Sequence, residues 1–510
     1  MPDNSTNNKR IAKNTLVLYG RMLITVGISF YTTRIVLANL GIYDYGIYNV
    51  IGGFVNMFYI FTASLTAAVG RFLTYALGKG DENELQKVFS DSVYIMLGLS
   101  FLICLIAETV GLWFVNNQLV IPNERMVAAN WIYQFTIVMF MMEMLSVPFS
   151  ASVISHEKMK VFAFVTIIKV LLCFFAAILL SIAPFDKLIT YGVSMLLVSI
   201  SILVLYYMYC KKHFAECHVV GISGKVFKDI FNYTSWDFFS SSCFLLNNQG
   251  ISILFNIFFG PAVNAAQGVA SQVRGTAKSF ANNFTTALSP QITKSYASNN
   301  IEYSKDLVCQ GAKFCYLLLY IVALPIMLET DFVLSIWLAD VPFYASSFIR
   351  LYLAYALVDM LVDTSHVLNC AMGRIRNYKI VIGVSQIFIL ALSFVILKIG
   401  ASPVLVMLVN NIVAIIMVVP RITMNRKYIG ITFVYFMNTV LLRVLCVTII
   451  SVIPCLLIIH YLEESWMRFL ISSLLSVLMT ALATYYIALN KAQREKVCEI
   501  AYSKIKNIKA

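Results

Sequence analysis

The feature that most constrains this chain is its succession of long apolar runs. A helical run of about 20 apolar residues matches the ~30 Å hydrocarbon core of a bilayer. Hydrophobic residues make up 60% of the 510 residues and charged residues 12%, roughly half the charged share of about 25% that is usual in soluble domains. Because long helices satisfy every backbone polar group inside lipid, the sequence predicts an all-α integral membrane protein.

Fourteen apolar segments qualify as candidate membrane spans, so we expect about 14 transmembrane helices. Most exceed 20 residues, which is enough to cross a bilayer with some tilt. The loops between them are too short to hold a folded domain. The candidate spans are residues 12–39, 44–70, 88–115, 127–153, 159–182, 188–210, 231–258, 262–289, 306–328, 344–371, 379–398, 402–420, 433–460 and 467–488.

The distribution of Lys and Arg predicts the orientation of the chain. Cytoplasmic loops carry an excess of these residues. Nearly all the loop Lys and Arg lie on the side of the two termini, and the opposite side has few: Arg125, Lys187, Lys398 and Arg468. Both termini are therefore expected in the cytoplasm. The same asymmetry accounts for most of the net charge of +13 without a nucleic-acid partner.

The 11 cysteines predict neither a metal site nor a disulfide framework. They are scattered without CxxC spacing, and most lie in apolar runs, where a thiol behaves as a small hydrophobe. The N-terminal stretch MPDNSTNNKRIAKN is polar and lacks an apolar region followed by a small-residue cleavage site. We therefore expect no cleavable signal peptide.

A single sequence offset aligns span boundaries of the two halves of the chain. The aligned pairs are Gly41 with Gly260, Thr74 with Thr293, and Lys160 with Lys379. Two units of six spans would share one orientation, as in parallel repeats related by an axis along the membrane normal. We predict an N-terminal six-helix lobe (1–210), a cytoplasmic linker (211–230), a C-terminal six-helix lobe (231–430), two accessory helices (431–490) and a basic cytoplasmic tail (491–510).

The predicted span 262–289 contains two cations one turn apart. A charge at bilayer depth costs about 2.5–3.5 kcal/mol on insertion scales and normally faces a cavity or a partner. At about 100° per residue, the cations share one face with other polar residues. This favours a water-lined surface, and the alternative is burial against polar partners in the bundle. The stripe consists of Asn264, Gln267, Ser271, Arg274, Lys278 and Asn282, whereas Gly268 and Gly275 lie on other faces, where we expect close helix packing.

Other predicted spans also contain charged residues. Asp237 and Asn248 share a face of span 231–258, and Arg21 begins a polar stripe in the first span. Asp359 and Asp363 lie one turn apart, so one of them is a candidate for binding a proton or a cation. Ion pairing with a neighbouring helix is the competing interpretation for these acids.

A structural ion pair is expected between Glu143 of span 127–153 and Lys169 of span 159–182. No enzyme constellation occurs, because the chain contains no GxxxxGK[ST], HExxH or GxSxG motif. The five histidines do not cluster. We therefore expect neither an enzyme nor a cofactor or metal site.

The segment TTRIVLANLGIYDYGIYNVIGG (32–53), followed by RFLTYALGKGDENELQKVF (71–89), resembles the N-terminal signature of bacterial polysaccharide-biosynthesis membrane proteins. These are the O-antigen or lipid-linked oligosaccharide flippases, often called Wzx-type. Their superfamily also contains the multidrug and toxin extruders and the lipid II flippases. The resemblance implies two six-helix bundles around a V-shaped central cavity, two extra C-terminal helices, and location in the bacterial cytoplasmic (inner) membrane.

The resemblance also implies roles for the polar residues inside the membrane. In that family, cavity cations are thought to engage the diphosphate of an undecaprenyl-linked sugar chain, and relatives are coupled to protons or sodium ions. The diphosphate candidates are Arg21, Arg274 and Lys278. The candidates for hydrogen bonds to the sugars are Asn248, Asn264, Gln267 and Asn282, and those for ion coupling are Asp237, Asp359 and Asp363.

The expected function is to flip undecaprenyl-diphosphate-linked oligosaccharide repeat units to the outer leaflet by alternating access. The expected partners are this substrate and membrane lipids, with a polysaccharide polymerase and a chain-length regulator as further candidates, and we expect a monomer. A cation-coupled multidrug extruder is one alternative, although a basic stripe has the wrong sign for cationic drugs. A lipid II flippase is chemically close. A polymerase or ligase commonly needs a long outer loop, which the sequence lacks.

Overall fold

The computed structural model describes residues 4–56, 59–117, 121–338, 341–373, 375–490 and 493–495. These residues form helices joined by short connections, and no strand occurs among them. Twelve of their helices are long and apolar enough to span a membrane. Large apolar side chains on them, including Leu102, Phe175 and Ile415, are exposed, as expected where a surface meets lipid. The protein is a multi-pass membrane protein.

The described residues contain 18 α-helices, numbered in chain order. The first half contains α1 (Asn4–Asn56), α2 (Tyr59–Lys79), α3 (Glu82–Ile106), α4 (Leu112–Asn117), α5 (Met126–Ser155), α6 (Met159–Ile182) and α7 (Lys187–His213). The second half contains α8 (Gly224–Phe259), α9 (Pro261–Ala297), α10 (Ile301–Leu328), α11 (Thr330–Trp337), α12 (Ala345–Met372), α13 (Arg376–Lys398), α14 (Pro403–Thr423), α15 (Arg426–Ile429), α16 (Phe433–Phe436), α17 (Leu442–Tyr461) and α18 (Trp466–Ala483).

Twelve of the predicted spans coincide with the apolar helices, and the all-α fold class is confirmed. The two other spans differ for separate reasons. Predicted span 262–289 is helical throughout, within α9, but α9 is too polar to qualify as an apolar span. Predicted span 44–70 runs through the end of α1 and the start of α2, and it contains residues 57 and 58, which lie outside the described part.

Two glycines at equivalent places in the halves redirect the chain. Gly41 interrupts α1, and Gly260 separates α8 from α9. Their φ angles are 75° and 79°, in the left-handed region that side chains with a Cβ rarely adopt. The predicted repeat aligns these same two positions. The first and second predicted spans are therefore separated by the same backbone device as the seventh and eighth.

The described chain divides into two compact units. Unit 1 comprises Met1–Ser242, Pro290–Asn300 and Cys370–Ile380, and unit 2 comprises Cys243–Ser289, Ile301–Asn369 and Val381–Ala510. In unit 1, α5 packs against α2, α3 and α7, while α1 packs against α6. Phe89, Tyr133 and Phe140 are fully buried in its apolar core. The lobe and linker boundaries given above stay a prediction.

Within unit 2, the accessory helices α17 and α18 pack against α10. Buried polar groups add to this apolar packing. Lys313 of α10 donates to the carbonyl of Ala488 (3.1 Å), and Glu329 forms a two-pronged ion pair with Arg468 of α18, with contacts of 3.0 and 2.7 Å. Since a buried charge is costly unless it is paired, these contacts specify how the accessory pair docks on α10.

Candidate binding site in unit 2

The polar face of α9 packs against α12 within unit 2. Gln267 donates from Nε2 to the hydroxyl of Tyr352 (3.3 Å). Two turns further along α9, the guanidinium carbon of Arg274 lies 4.6 Å from the centre of the Tyr352 ring. One more turn brings Lys278 to Asp359, with 2.7 Å between Nζ and Oδ2. The polar stripe predicted from the sequence therefore forms a shared face, and its neighbour is a helix of the same bundle.

Asp359 lies between two cations. Its Oδ2 accepts from Lys278, and its Oδ1 accepts from Nη1 of Arg421 in α14 at 3.0 Å. The side chains of Lys278, Asp359 and Arg421 are 31%, 23% and 17% exposed. Partly buried charges are tolerated when they are paired, whereas an unpaired buried charge costs several kcal/mol. Lys278, a predicted diphosphate ligand, is thus already engaged by a carboxylate of its own unit.

Asp363 has a different environment from Asp359. It accepts a hydrogen bond of 2.8 Å from the hydroxyl of Thr285 in α9, one turn along α12 from Asp359. Residues four apart share a helix face, so both carboxylates lie towards α9. Two cations hold Asp359, and a neutral hydroxyl binds Asp363. The two acids are therefore not equivalent as ion-coupling candidates.

Arg274 is the stripe cation whose charge is not neutralised by a contact. It is half-buried, and its guanidinium group stacks on Tyr352. Within the described part of the chain, no carboxylate lies within salt-bridge distance of it and no hydrogen bond engages its N–H groups. A guanidinium presents five N–H donors in a fork that matches phosphate and carboxylate oxygens. Arg274 can therefore accept an external anion without breaking an internal ion pair.

Arg274 lines a small cavity inside unit 2. The walls come from α8, α9, α12, α13 and α14, with Tyr352 and Tyr355 among the lining residues. The remaining polar wall is made of side-chain amides: Asn247, Asn248, Gln386, Asn410 and Asn411.

A second small cavity in unit 2 is lined by residues of α12, α13 and α14. It shares Tyr355 and Gln386 with the first cavity and is also lined by Asp359 and Arg421. The amide-lined space next to Arg274 thus borders the space next to Lys278, Asp359 and Arg421, which we call the ion cluster.

The four residues predicted to bind sugars differ in whether they line a cavity. Asn248 lines the first cavity, and its Nδ2 donates to the carbonyl of Phe244 (3.0 Å). Gln267 is buried and reaches the cavity through Tyr352. Asn264 is half-buried, Asn282 is exposed, and neither is among the lining residues of either cavity.

The predicted site residues of unit 1 have partners there. Asp237 is buried and forms an ion pair with Lys379. It is therefore not the partner of Arg274 or Lys278. The guanidinium carbon of Arg21 lies 5.0 Å from the centre of the Phe162 ring. Arg21 and Asp237 belong to unit 1, whereas Arg274 and Lys278 belong to unit 2.

Some residues at this site, namely three amides and Arg421, were not among the site residues predicted from the sequence. Asn247, beside the predicted Asn248, and the consecutive Asn410 and Asn411 interrupt apolar runs, and this signal was available. They do not repeat at helical spacing, so a search for stripes overlooks them. Arg421, one residue beyond the predicted span 402–420, lies in the last turn of α14 and reaches Asp359.

The predicted pair of Glu143 and Lys169 is confirmed, with 2.6 Å between Oε1 and Nζ. The expectation of close packing at Gly268 and Gly275 is wrong. Both are exposed on α9, and no described heavy atom outside their own helical turns lies within 4 Å of the position that a Cβ would take. Their role is therefore not to let another helix approach.

Solved membrane transporters share this fold. A crystal structure of a MATE protein in complex with MaD3S matches with a TM-score of 0.71 at 12% identity, covering 83% of this chain and 96% of that one. An outward-facing multidrug resistance MATE transporter of the MOP superfamily matches with a TM-score of 0.68 at 13% identity, covering 82% and 96%. No curated protein sequence matches the chain.

A MOP superfamily transporter from Pyrococcus furiosus also matches, with a TM-score of 0.69 at 13% identity, covering 83% of this chain and 97% of that one. Its structure is described by a reverse polarity of the binding pocket that suggests a different function. The chain therefore has the MATE-type fold of MOP superfamily transporters. The family described as polysaccharide biosynthesis protein matches residues 11–296, more than half of the sequence, and the chain belongs to that family.

Proposed function

We propose that this protein is a flippase that moves undecaprenyl-diphosphate-linked oligosaccharide repeat units from the inner to the outer leaflet of the bacterial cytoplasmic membrane. The family and the transporter fold support a membrane transporter in polysaccharide biosynthesis. The observation that carries the choice of substrate is Arg274, a half-buried cation that borders an amide-lined cavity and has no carboxylate partner among the described residues.

The chemistry of the substrate matches this arrangement. A diphosphate offers several oxygens to a guanidinium group, and such charge-assisted pairs gain strength where water is scarce. The amides supply donors and acceptors for sugar hydroxyls. The polyprenyl tail stays in lipid while the polar head passes, and rocking of two repeat-related bundles would alternate access, as in other transporters with internal repeats.

Ion coupling is assigned to Asp363 rather than Asp359 in this proposal. Asp359 is neutralised by Lys278 and Arg421, whereas a hydroxyl is the partner of Asp363. To bind a coupling ion, Asp359 would have to give up two cationic partners, whereas Asp363 would give up one hydrogen bond from a neutral hydroxyl. The protein works with both termini in the cytoplasm, and a polymerase and a chain-length regulator use the product of the flipping step.

The test is complementation of a strain in which the gene is deleted. The wild-type chain is expected to restore surface polysaccharide fully. The Arg274→Lys variant, which keeps the positive charge, is expected to restore it partly. Arg274→Gln should leave lipid-linked repeat units in the inner leaflet, because it removes the anion-binding charge. Protein levels in the membrane are compared by immunoblotting. Normal surface polysaccharide in the deletion strain would contradict the flippase function, and full restoration by Arg274→Gln would contradict the role of Arg274.

A multidrug extruder is the second candidate, because MATE proteins share the fold. Drug susceptibility of the same deletion strain separates the two. Hypersensitivity to cationic drugs with intact polysaccharide would favour the extruder. Accumulation of peptidoglycan precursor instead of repeat units would identify a lipid II flippase.

A further inference from the structure

The segment that follows the last accessory helix binds cations from two other helices of unit 2. This segment, residues 486–490, lies just after α18, and we call it the terminal segment. Lys313 of α10 donates to the carbonyl of Ala488 (3.1 Å). Arg443 of α17 donates from Nη1 to Oδ1 of Asn490 (2.7 Å). Two charges that lie far apart in the sequence therefore meet at one end of α18.

A third cation comes from the chain beyond the terminal segment. Arg494 donates from Nε to the carbonyl of Leu489 (3.2 Å) and from Nη2 to the carbonyl of Tyr486. Among the residues that the structure describes, no carboxylate lies within salt-bridge distance of Lys313, Arg443 or Arg494. The carbonyl groups at the C-terminus of a helix carry roughly half a negative charge, so three cations leave a surplus of roughly 2.5 positive charges there.

The three cations differ in whether an external anion can reach them. Lys313 is 2% exposed and contributes only its charge, whereas Arg443 and Arg494 are half-buried. Of the five N–H donors of a guanidinium group, Arg443 uses one and Arg494 uses two within the described residues. Asp306, exposed on the same face of α10 as Lys313, is about 10 Å away along the helix axis. That is about one Debye length, so Asp306 offsets the surplus only in part.

Exposed apolar side chains lie beside these arginines. Leu442, next to Arg443, is 47% exposed, and Tyr486 of the terminal segment is 64% exposed. Arg443 lies within the apolar helix Phe433–Tyr461, and its guanidinium group reaches the terminal segment, where the apolar helix Trp466–Ala488 ends. A long cationic side chain that extends in this way places its charge at the level of the lipid headgroups. The site therefore joins phosphate-binding groups to a surface that meets lipid chains.

We propose that Arg443 and Arg494 bind the phosphate of an anionic phospholipid whose acyl chains lie along α17 and α18. A guanidinium fork matches phosphate oxygens, and the surplus positive charge repels the ammonium group of a zwitterionic lipid. The distribution of Lys and Arg predicts this side of the membrane to be cytoplasmic, where anionic lipids attract basic groups. The site is separate from the cavity next to Arg274 and does not depend on what the protein transports.

The test measures lipid binding by the purified full-length protein in an uncharged detergent. Thermal unfolding is followed as phosphatidylglycerol, phosphatidylcholine or inorganic phosphate is added, and native mass spectrometry counts the lipid molecules that stay bound. A ligand that binds the folded state raises the melting temperature by mass action. We expect a saturable rise with phosphatidylglycerol that weakens at high salt, and a much smaller rise with phosphatidylcholine or phosphate.

Variants of the arginines locate the binding. Arg443→Gln and Arg494→Gln should each weaken binding of phosphatidylglycerol about fivefold, the equivalent of about 1 kcal/mol for one basic residue at an anionic surface. Arg376→Gln is the matched control, because Arg376 is an exposed arginine of unit 1 whose guanidinium carbon lies 5.0 Å from the centre of the Trp236 ring. It removes the same charge and should bind the lipid as the wild type does. If one variant melts at a much lower temperature without lipid, the other decides.

Several outcomes would overturn the phospholipid site. Equal rises with phosphatidylglycerol and phosphatidylcholine would contradict the preference for an anionic lipid, and an equal rise with inorganic phosphate would contradict the choice of a lipid. Unchanged binding in both Arg443→Gln and Arg494→Gln would contradict the location. Equal weakening by Arg376→Gln would do the same, because it would indicate a general effect of net charge. None of these results bears on the flippase function, which the deletion strain tests separately.

Discussion

Arg274 and Lys278 lie one turn apart on α9, but they have different partners. Lys278 shares Asp359 with Arg421, and Arg274 stacks on an aromatic ring. A carboxylate removes most of the attraction of a cation for a second anion, whereas an aromatic face leaves that charge in place. The contact of each side chain therefore separates Lys278, whose charge is already neutralised, from Arg274, whose charge can still attract an anion.

The contacts within the ion cluster predict how substitutions of Asp359 and Lys278 change the free energy of unfolding. Asp359→Asn should lower the free energy of unfolding by about 1–3 kcal/mol, because two partly buried cations lose their shared acceptor. Adding Lys278→Gln to it should recover part of the loss, since one of the surplus charges is removed. Thermal unfolding in detergent measures both. A double variant less stable than Asp359→Asn by the full effect of Lys278→Gln would show that the two residues are not coupled.

Residue spacing predicts which face of α9 is polar, but it does not predict which helix that face contacts. Spacing along α9 correctly placed Gln267, Arg274 and Lys278 on one face. Which helix that face meets depends on packing between residues about 80 positions apart, and the sequence contains no direct record of it. For the same reason Asp237 could not be assigned to Lys379. Helix existence was predictable, because it depends on local apolar length, whereas partners across helices were not.

The same change, glycine to alanine, is predicted to have opposite effects on stability in α10 and in α9. A Cβ on Gly311 of α10 would lie 2.5 Å from Cδ2 of Leu288 and 2.7 Å from Cγ2 of Thr364, so Gly311→Ala should destabilise the protein by about 1–3 kcal/mol through overpacking. Gly275→Ala on α9 meets open space and should stabilise the helix by about 0.5–1 kcal/mol.

The two alanine variants are compared by thermal unfolding under the same conditions. Opposite shifts of the melting temperature are expected, because the chemical change is identical and the surroundings differ. Equal shifts in one direction would mean that helix propensity, and not close approach of α10 to its neighbours, determines the effect at Gly311.

The charge of the whole molecule makes its stability sensitive to acid. The net charge is +13 at neutral pH, and each carboxylate that is protonated adds to the repulsion. Asp186, in the loop before α7, is partly buried, which favours its neutral form, but hydrogen bonds from Arg125 (2.6 Å) and from the backbone N–H groups of Leu188 and Ile189 outweigh this and lower its pKa. Asp44 binds the same guanidinium group.

The pKa of Asp186 in the folded state therefore lies below its unfolded value of about 3.9. Its contribution to stability is complete above that value and is lost as the pH falls through it towards the folded pKa. We expect the melting temperature to drop as the pH falls below about 4, and Arg125→Gln should flatten that drop while lowering the melting temperature at about pH 6.

Arg350→Gln is the control for the acid experiment, because Arg350 pairs with Asp331 at a surface where both side chains are largely exposed, 44% and 56%. Exposed pairs contribute about 0–1 kcal/mol, so this variant should follow the wild-type curve. An Arg125→Gln curve parallel to the wild type would contradict a role for Asp186 in acid stability.

The polarity of α9 has a consequence for how the protein is made. A helix enters the bilayer from the translocation channel when its own apolar side chains favour that transfer, and two cations at its centre oppose it by about 2.5–3.5 kcal/mol each. Gly260 is the one residue between α9 and the far more apolar α8. We expect α9 to integrate as the second arm of a hairpin with α8 and to fail when synthesised without it. Glycosylation mapping of α9 with and without α8 measures this dependence, and independent insertion of α9 would refute it.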